Sequence, residues 1–169
     1  NDSASVSVIG GNHGLKQANV QTSGRHDQGQ HALSLTALDY QGFREQSEIR
    51  KYQFTGQAGW DLADTRTVTV FLTAMDTPVA QDPGGLTRQQ AHQDRQQASR
   101  FASLLDAGQQ VDQQRLGLHY RDDDFVNGRL NARAFISQRD FRQQLPFPGS
   151  SLIDYHRLFY GARLDYTLP

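Results

Sequence analysis

The sequence predicts an all-β fold: an antiparallel up-and-down transmembrane β-barrel, present as about eight strands, with one short helix in a long extracellular loop. Three observations carry that expectation. Apolar and polar side chains alternate nearly end to end, with the period of two that sends neighbours to opposite faces of a strand. The connections between alternating runs are short and long in turn, as the periplasmic turns and extracellular loops of outer-membrane barrels are. Only 36% of the 169 residues are hydrophobic and mean hydropathy is -0.69, low for a protein built around a dry internal core.

The runs follow in order. Ser3 to Ile9 alternates serine with alanine, valine and isoleucine, and after "GGNHG" the run Leu15 to Arg25 puts Ala18 and Val20 on one face. His31 to Tyr40 alternates less cleanly. Glu48 to Trp60 aligns Tyr52, Phe54, Ala58 and Trp60 against Lys51, Gln53, Thr55 and Gln57. Arg66 to Asp76 aligns Val68, Val70, Leu72 and Ala74 against Thr67, Thr69 and Thr73, interrupted by Phe71 and Met75. Gln109 to Arg121 aligns Leu116, Leu118 and Tyr120 against Gln113, Arg115, His119 and Arg121. Arg129 to Arg139 puts Leu130, Ala132, Ala134 and Ile136 opposite Arg129, Asn131, Arg133, Ser137 and Arg139. Asp154 to Thr167 aligns Leu158, Tyr160, Ala162, Leu164 and Tyr166 against Arg157, Arg163 and Asp165. Several runs reach the roughly 9 to 11 residues that a tilted strand needs to cross hydrocarbon. Tyr40, Tyr52, Trp60, Tyr120, Phe159, Tyr160 and Tyr166 fall toward strand ends, as interfacial aromatic girdles do.

Short connections are expected at His26 to Gly29, within Asp61 to Thr65 and within Asp122 to Gly128. Longer ones are expected at Gln41 to Ser47, Thr77 to Gly108 and Asp140 to Ile153, with "GGNHG" keeping the phase but not the length. In the longest, Thr87 followed three positions later by Gln90 reads as a capping box opening a polar helix from Arg88 to about Leu105. Ala91, Ala98, Phe101, Ala102 and Leu105 form its thin apolar stripe, suited to packing on a barrel rim. Alternation alone also fits a soluble two-sheet sandwich, in which the apolar faces meet each other instead of lipid.

Composition narrows the chemistry. Cysteine is absent, which excludes disulfides, thiolate metal sites and cysteine nucleophiles. The formal charge of -1 advertises no nucleic-acid partner. Positive charge rests on arginine, Lys16 and Lys51 being the only lysines. The first residues carry neither the basic nor the apolar region of a signal peptide. No apolar run approaches the ~18 residues of a membrane helix.

Particular segments resemble the TonB-dependent outer-membrane receptors of Gram-negative bacteria, plugged barrels of about 22 strands that import iron chelates and vitamins. "SVIGGNHGLKQANVQTSG" is similar to their first barrel hairpin, and "LTALDYQGFREQSEIRKYQFTGQAGWDLAD" to their third and fourth strands. "DPGGLTRQQAHQDRQQA" resembles a loop of siderophore receptors, and "QQRLGLHYR" the strand after it. The resemblance implies that residues 1–169 are the N-terminal part of such a barrel, with the plug, the TonB box and the closing strands outside them. It implies active, TonB-energised transport of a ferric siderophore or other metal chelate, a lipid bilayer as surroundings, and the bacterial outer membrane as location. A passive porin or a barrel adhesin uses the same wall without energy coupling.

Under that resemblance, Tyr40, Phe43 and Arg44 in one long loop and Arg139, Phe141 and Arg142 at the mouth of another are the ligand candidates. Arginine suits anionic chelate oxygens and aromatics stack on catecholates. Arg44 has a plainer alternative, hydrogen bonding to loop carbonyls or to the plug, and Arg139, Phe141 and Arg142 have a similar one. Arg115, Arg121, Arg129, Arg133, Arg157 and Arg163 are expected to face a lumen and pair with carboxylates of a plug. The six histidines, His13, His26, His31, His92, His119 and His156, lack ligand spacing, and Asp122, Asp123 and Asp124 lack the pattern of a calcium loop and read as a solvated turn. No nucleophile elbow, phosphate loop or paired catalytic carboxylates occurs, so neither an enzyme nor a resident cofactor is expected.

Overall fold

A computed structural model describes residues 2–149 and 151–168. All eight expected strands form: β1 (Ser3–Gly10), β2 (Lys16–His26), β3 (Gly29–Tyr40), β4 (Ile49–Ala63), β5 (Arg66–Gln81), β6 (Gly108–Phe125), β7 (Gly128–Gln144) and β8 (Leu152–Thr167). They pair antiparallel, in sequence order, in a single sheet. β1 and β8 each have a neighbour on one side only, so the sheet is open. No second sheet faces it among the described residues, which removes the two-sheet sandwich.

The hairpin rhythm holds. The ladders close at His26–Gly29, Ala63–Arg66 and Phe125–Gly128, leaving two-residue turns at one end of the sheet. In the last of these, Val126 and Asn127 both take positive φ, 50° and 63°. A two-residue hairpin with φ > 0 at both positions matches the twist of its strands, and asparagine tolerates that conformation. The other connections gather at the opposite end, where residues 82–107 make the longest.

Two expectations about that end are corrected. The helix foreseen from Arg88 to about Leu105 is two short helices, α1 (Arg88–Gln93) and α2 (Arg100–Leu104). The capping box at Thr87 and Gln90 does form. The break comes where Asp94 turns its backbone extended and its carboxylate accepts from Gln96 N at 2.7 Å, while the Gln97 amide donates to Gln90 O and Asp94 O. Ser99 then caps a fresh helix. Short polar side chains that bond nearby backbone compete with helix continuation in this way. The strands also run further than expected. β5 continues through a bulge between Thr77 and Ala80 that accommodates Pro78, a residue with no N–H for the ladder. β7 runs on through Asp140–Gln144, so Arg139, Phe141 and Arg142 belong to a strand and not to a loop mouth.

The ladders assign the side chains they pair to one face or the other. Ala4, Thr22, Leu33, Gly56, Leu72, Leu116, Ile136 and Tyr160 form one cross-strand row, nearly all apolar. The borders of this apolar band cut obliquely across the ladder. Toward the long-loop end, Val8, Ala18, Ala37 and Tyr52 continue in register as Asp76, Asp112, Asp140 and His156. Toward the short-turn end, Tyr166 and Leu130 continue as Asp122 and Arg66. The band therefore sits nearer the long loops on β1–β4 and nearer the turns on β5–β8. Along β4 it reaches from Tyr52 to Trp60, about 27 Å at strand rise. Nothing among the described residues covers it: Leu35 is 53% exposed and Leu118 46%, both on strands with neighbours on either side. Among the described residues the buried apolar ones are Ala98, Ala102, Ala107 and Val111, and the first three form one small cluster in and beside the long loop.

Candidate functional site

The opposite face is polar, and it changes character from one side of the sheet to the other. On β1 and β2 it presents Ser3, Ser5, Ser7, Gln17, Asn19 and Gln21, tied locally by bonds such as Asn19 Nδ2 to Thr36 Oγ1 at 2.7 Å. On β6, β7 and β8 it presents arginines and aromatics. All six arginines expected on one face, Arg115, Arg121, Arg129, Arg133, Arg157 and Arg163, share it, and Arg139 and Phe141 join them. Arg142 points to the apolar face, where it lines a cleft of about 540 Å³ with Gln81, Asp106 and Gln110.

Near the short-turn end these arginines are paired within the sheet. Asp123 accepts from Arg121 Nε at 2.9 and 3.0 Å and lies 2.7 Å from Arg129 Nε. Asp165 takes Arg163 Nε at 2.8 Å. Asp123 lies beyond the apolar band, and its hydrogen bond to Arg121, reinforced by the Arg121 and Arg129 charges, holds its carboxyl below the usual carboxylate range. Further from the turns, rings replace carboxylates. The guanidinium carbon of Arg115 lies 4.9 Å from the Phe135 ring centre, that of Arg139 5.2 Å from Phe141, and that of Arg157 5.0 Å from Tyr155. Phe135 leans over Gly161, where a Cβ would meet its ring at 2.8 Å, and its centroid is 5.3 Å from Phe159. A side chain at that position would dislodge the ring that carries Arg115.

Asp122 corrects an expectation. Asp122, Asp123 and Asp124 are part of β6, not a turn, and Asp122 is 1% exposed instead of solvated. Its carboxylate accepts from Arg66 Nε at 3.0 Å, Tyr120 Oη at 3.2 Å and Asp124 N at 3.0 Å, beside the register shift between Asp122 and Phe125. Replacing it with alanine strands those donors at the border of the apolar band. Asp122→Ala is expected to cost about 2 kcal/mol in a denaturant titration, and Asp122→Asn clearly less.

At the long-loop end Arg44 works as a clasp. Its Nε donates to Gln97 O at 3.1 Å, Nη1 to Gly84 O at 2.7 Å, and Nη2 to Pro83 O at 3.1 Å and Gln97 O at 2.9 Å. Four of the five N–H donors of a guanidinium are thereby committed to loop carbonyls. Glu45 N adds a bond to Gln96 O at 2.7 Å, and Gln46 Nε2 one to Asp106 Oδ1 at 2.6 Å. Phe43, 45% exposed, meets His13 edge-on at 5.1 Å, and Tyr40 ends β3. The six loop candidates are thus divided among a clasp (Arg44), a ring packed on His13 (Phe43), a strand end (Tyr40) and two faces of β7.

His26 and His31 stack at 5.6 Å across the β2–β3 hairpin, but no group of three metal-ligating side chains occurs among the described residues. The stacked arginines escaped the sequence reading as a group. A signal was present: Phe71, Phe135 and Phe159 interrupt polar faces, and register puts Phe71 and Phe135 opposite Gly117, and Phe135 also opposite Gly161. No protein-family model matches the chain, and no curated protein matches it.

Proposed function

We propose that this sheet is part of the wall of an outer-membrane transport barrel, with the apolar band against hydrocarbon, the polar face lining a lumen and the long-loop end outermost. The observation that carries the reading is the uncovered band with oblique borders. A flat apolar slab meeting tilted strands gives such borders, and barrel strands tilt by roughly 35–45°. Trp60, Tyr120 and Tyr166 toward its lower edge and Tyr52 at its upper edge suit interfacial girdles. The open edges of β1 and β8 call for further strands, because unpaired backbone groups are costly in lipid.

Within that reading the transported solute is a ferric siderophore or similar metal chelate, taken up with energy from the TonB complex. What supports the solute class is the cationic, aromatic half of the polar face, which suits anionic ligands. The test is growth of cells lacking the full-length protein on single ferric siderophores as the iron source. Loss of growth on one chelate, restored by the gene, supports the reading; an unchanged profile across the panel contradicts iron uptake and favours a passive porin or an adhesin.

A further inference from the structure

The arginines that β6, β7 and β8 send to the polar face divide by partner. Arg121, Arg129 and Arg163 hold carboxylates; Arg133, across from His119 and Arg163, meets neither a carboxylate within ion-pair distance nor a ring; and Arg115, Arg139 and Arg157 meet no carboxylate within that distance among the described residues. Each of these three rests on an aromatic ring instead. Stacking fixes the plane of a guanidinium while leaving its in-plane N–H donors free. One such donor is engaged, Arg139 Nη1 on Gln113 Oε1 at 3.3 Å, and Arg139 Nε is buried without a partner.

Register concentrates the three. Arg139 stands directly across from Arg157, and Arg115 stands across from Ser137, the next polar-face position along β7. The patch therefore spans two successive positions of one face, about 7 Å. Like charges directly opposed in a sheet repel, and no carboxylate of the sheet relieves these. An anion placed among them would gain charge-assisted hydrogen bonds from donors already aimed.

We propose that Arg115, Arg139 and Arg157 form a binding site for a small solute carrying two or more oxyanion groups, carboxylate or phosphate, that bridges their guanidiniums. The inference rests on the polar face being the wetted wall of the transport barrel proposed above. A compact polyanion fits the patch better than an acidic protein segment does. Toward the turns, Arg121, Arg129 and Arg163 already carry carboxylates of their own, and Arg133 is separated from the three along β7 by Phe135.

The test is calorimetric titration of the full-length protein, refolded in detergent micelles, with citrate, pyrophosphate, acetate and a polyglutamate peptide at constant ionic strength. Saturable binding of citrate or pyrophosphate, with acetate inert, is expected, and the stronger of the two assigns the oxyanion as carboxylate or phosphate. Arg139→Gln with Arg157→Gln should weaken that binding about tenfold or more, while Arg121→Gln, whose guanidinium is held by Asp123, should leave it within about twofold of the native affinity. Equal affinity in the native and doubly substituted proteins, no saturable binding of either polyanion, or saturation by polyglutamate alone would overturn the proposal. Trp60, the single tryptophan of residues 1–169, reports the premise separately through quenching by brominated lipid after transfer to vesicles. Quenching without anion binding overturns the arginine site alone; no quenching overturns the barrel reading beneath it.

Discussion

Leu35→Arg is expected to destabilise the protein folded into phosphatidylcholine vesicles by about 2–4 kcal/mol, while Ser34→Arg one residue earlier folds nearly as the native protein does. Leu35 pairs with Val20 and Phe54 inside the apolar band, and Ser34 pairs with Gln21 and Thr55 on the other face. An arginine near the middle of hydrocarbon costs about 2–4 kcal/mol on a barrel's lipid face, less toward its borders. An arginine on a wetted face stays within roughly 0.5 kcal/mol of native. Urea titration of the two variants in vesicles gives both numbers. Equal destabilisation would mean that the two faces meet similar surroundings.

Arg44→Ala should release the long loop. Four hydrogen bonds from one guanidinium join the β3–β4 connection to Pro83, Gly84 and Gln97, on both sides of α1. Hydrogen bonds involving a charged group contribute roughly 1.5–3 kcal/mol, so losing the set should make local opening easier by about 3 kcal/mol. Arg88, Arg95 and Arg100 lie inside the released segment and offer trypsin its sites. Cleavage there should accelerate by about two orders of magnitude when it follows the open population, with the sheet intact by circular dichroism. Arg44→Lys should recover little, because one ammonium cannot serve three carbonyls in the planar fork geometry. Native-like resistance to trypsin in Arg44→Ala would assign the hold on the loop to Glu45, Gln46 and the alanine cluster.

The eight strands were legible because each has two chemically different faces, and alternation needs no knowledge of partners. The strand ends were less legible. β5 passes Pro78 through a bulge, and the end of β7 carries on to Gln144 through a stretch in which Phe141 is the one apolar residue. The helix break was hidden in short-range competition: Asp94 and Ser99 are cap formers, yet Ala98, Phe101 and Ala102 on either side of Ser99 sustain an apolar stripe. For the site, shared face membership of the arginines followed from spacing alone. Some partners lie two residues away along the same strand, as with Arg157 on Tyr155 and Arg163 on Asp165, but Arg115 on Phe135 and Arg129 on Asp123 depended on cross-strand register. The burial of Asp122 likewise needed Arg66, distant in sequence and adjacent across β5 and β6.

The most direct measurement uses the absence of cysteine. Single cysteines placed in turn at residues 130–137 of β7 and spin-labelled in vesicles report collisions with oxygen, which favours hydrocarbon, and with a water-soluble nickel chelate. The uncovered apolar band predicts alternation: oxygen dominates at positions 130, 132, 134 and 136, and nickel at 131, 133, 135 and 137. Even-numbered positions that are shielded from both reagents, or that meet nickel as readily as their neighbours, would contradict it.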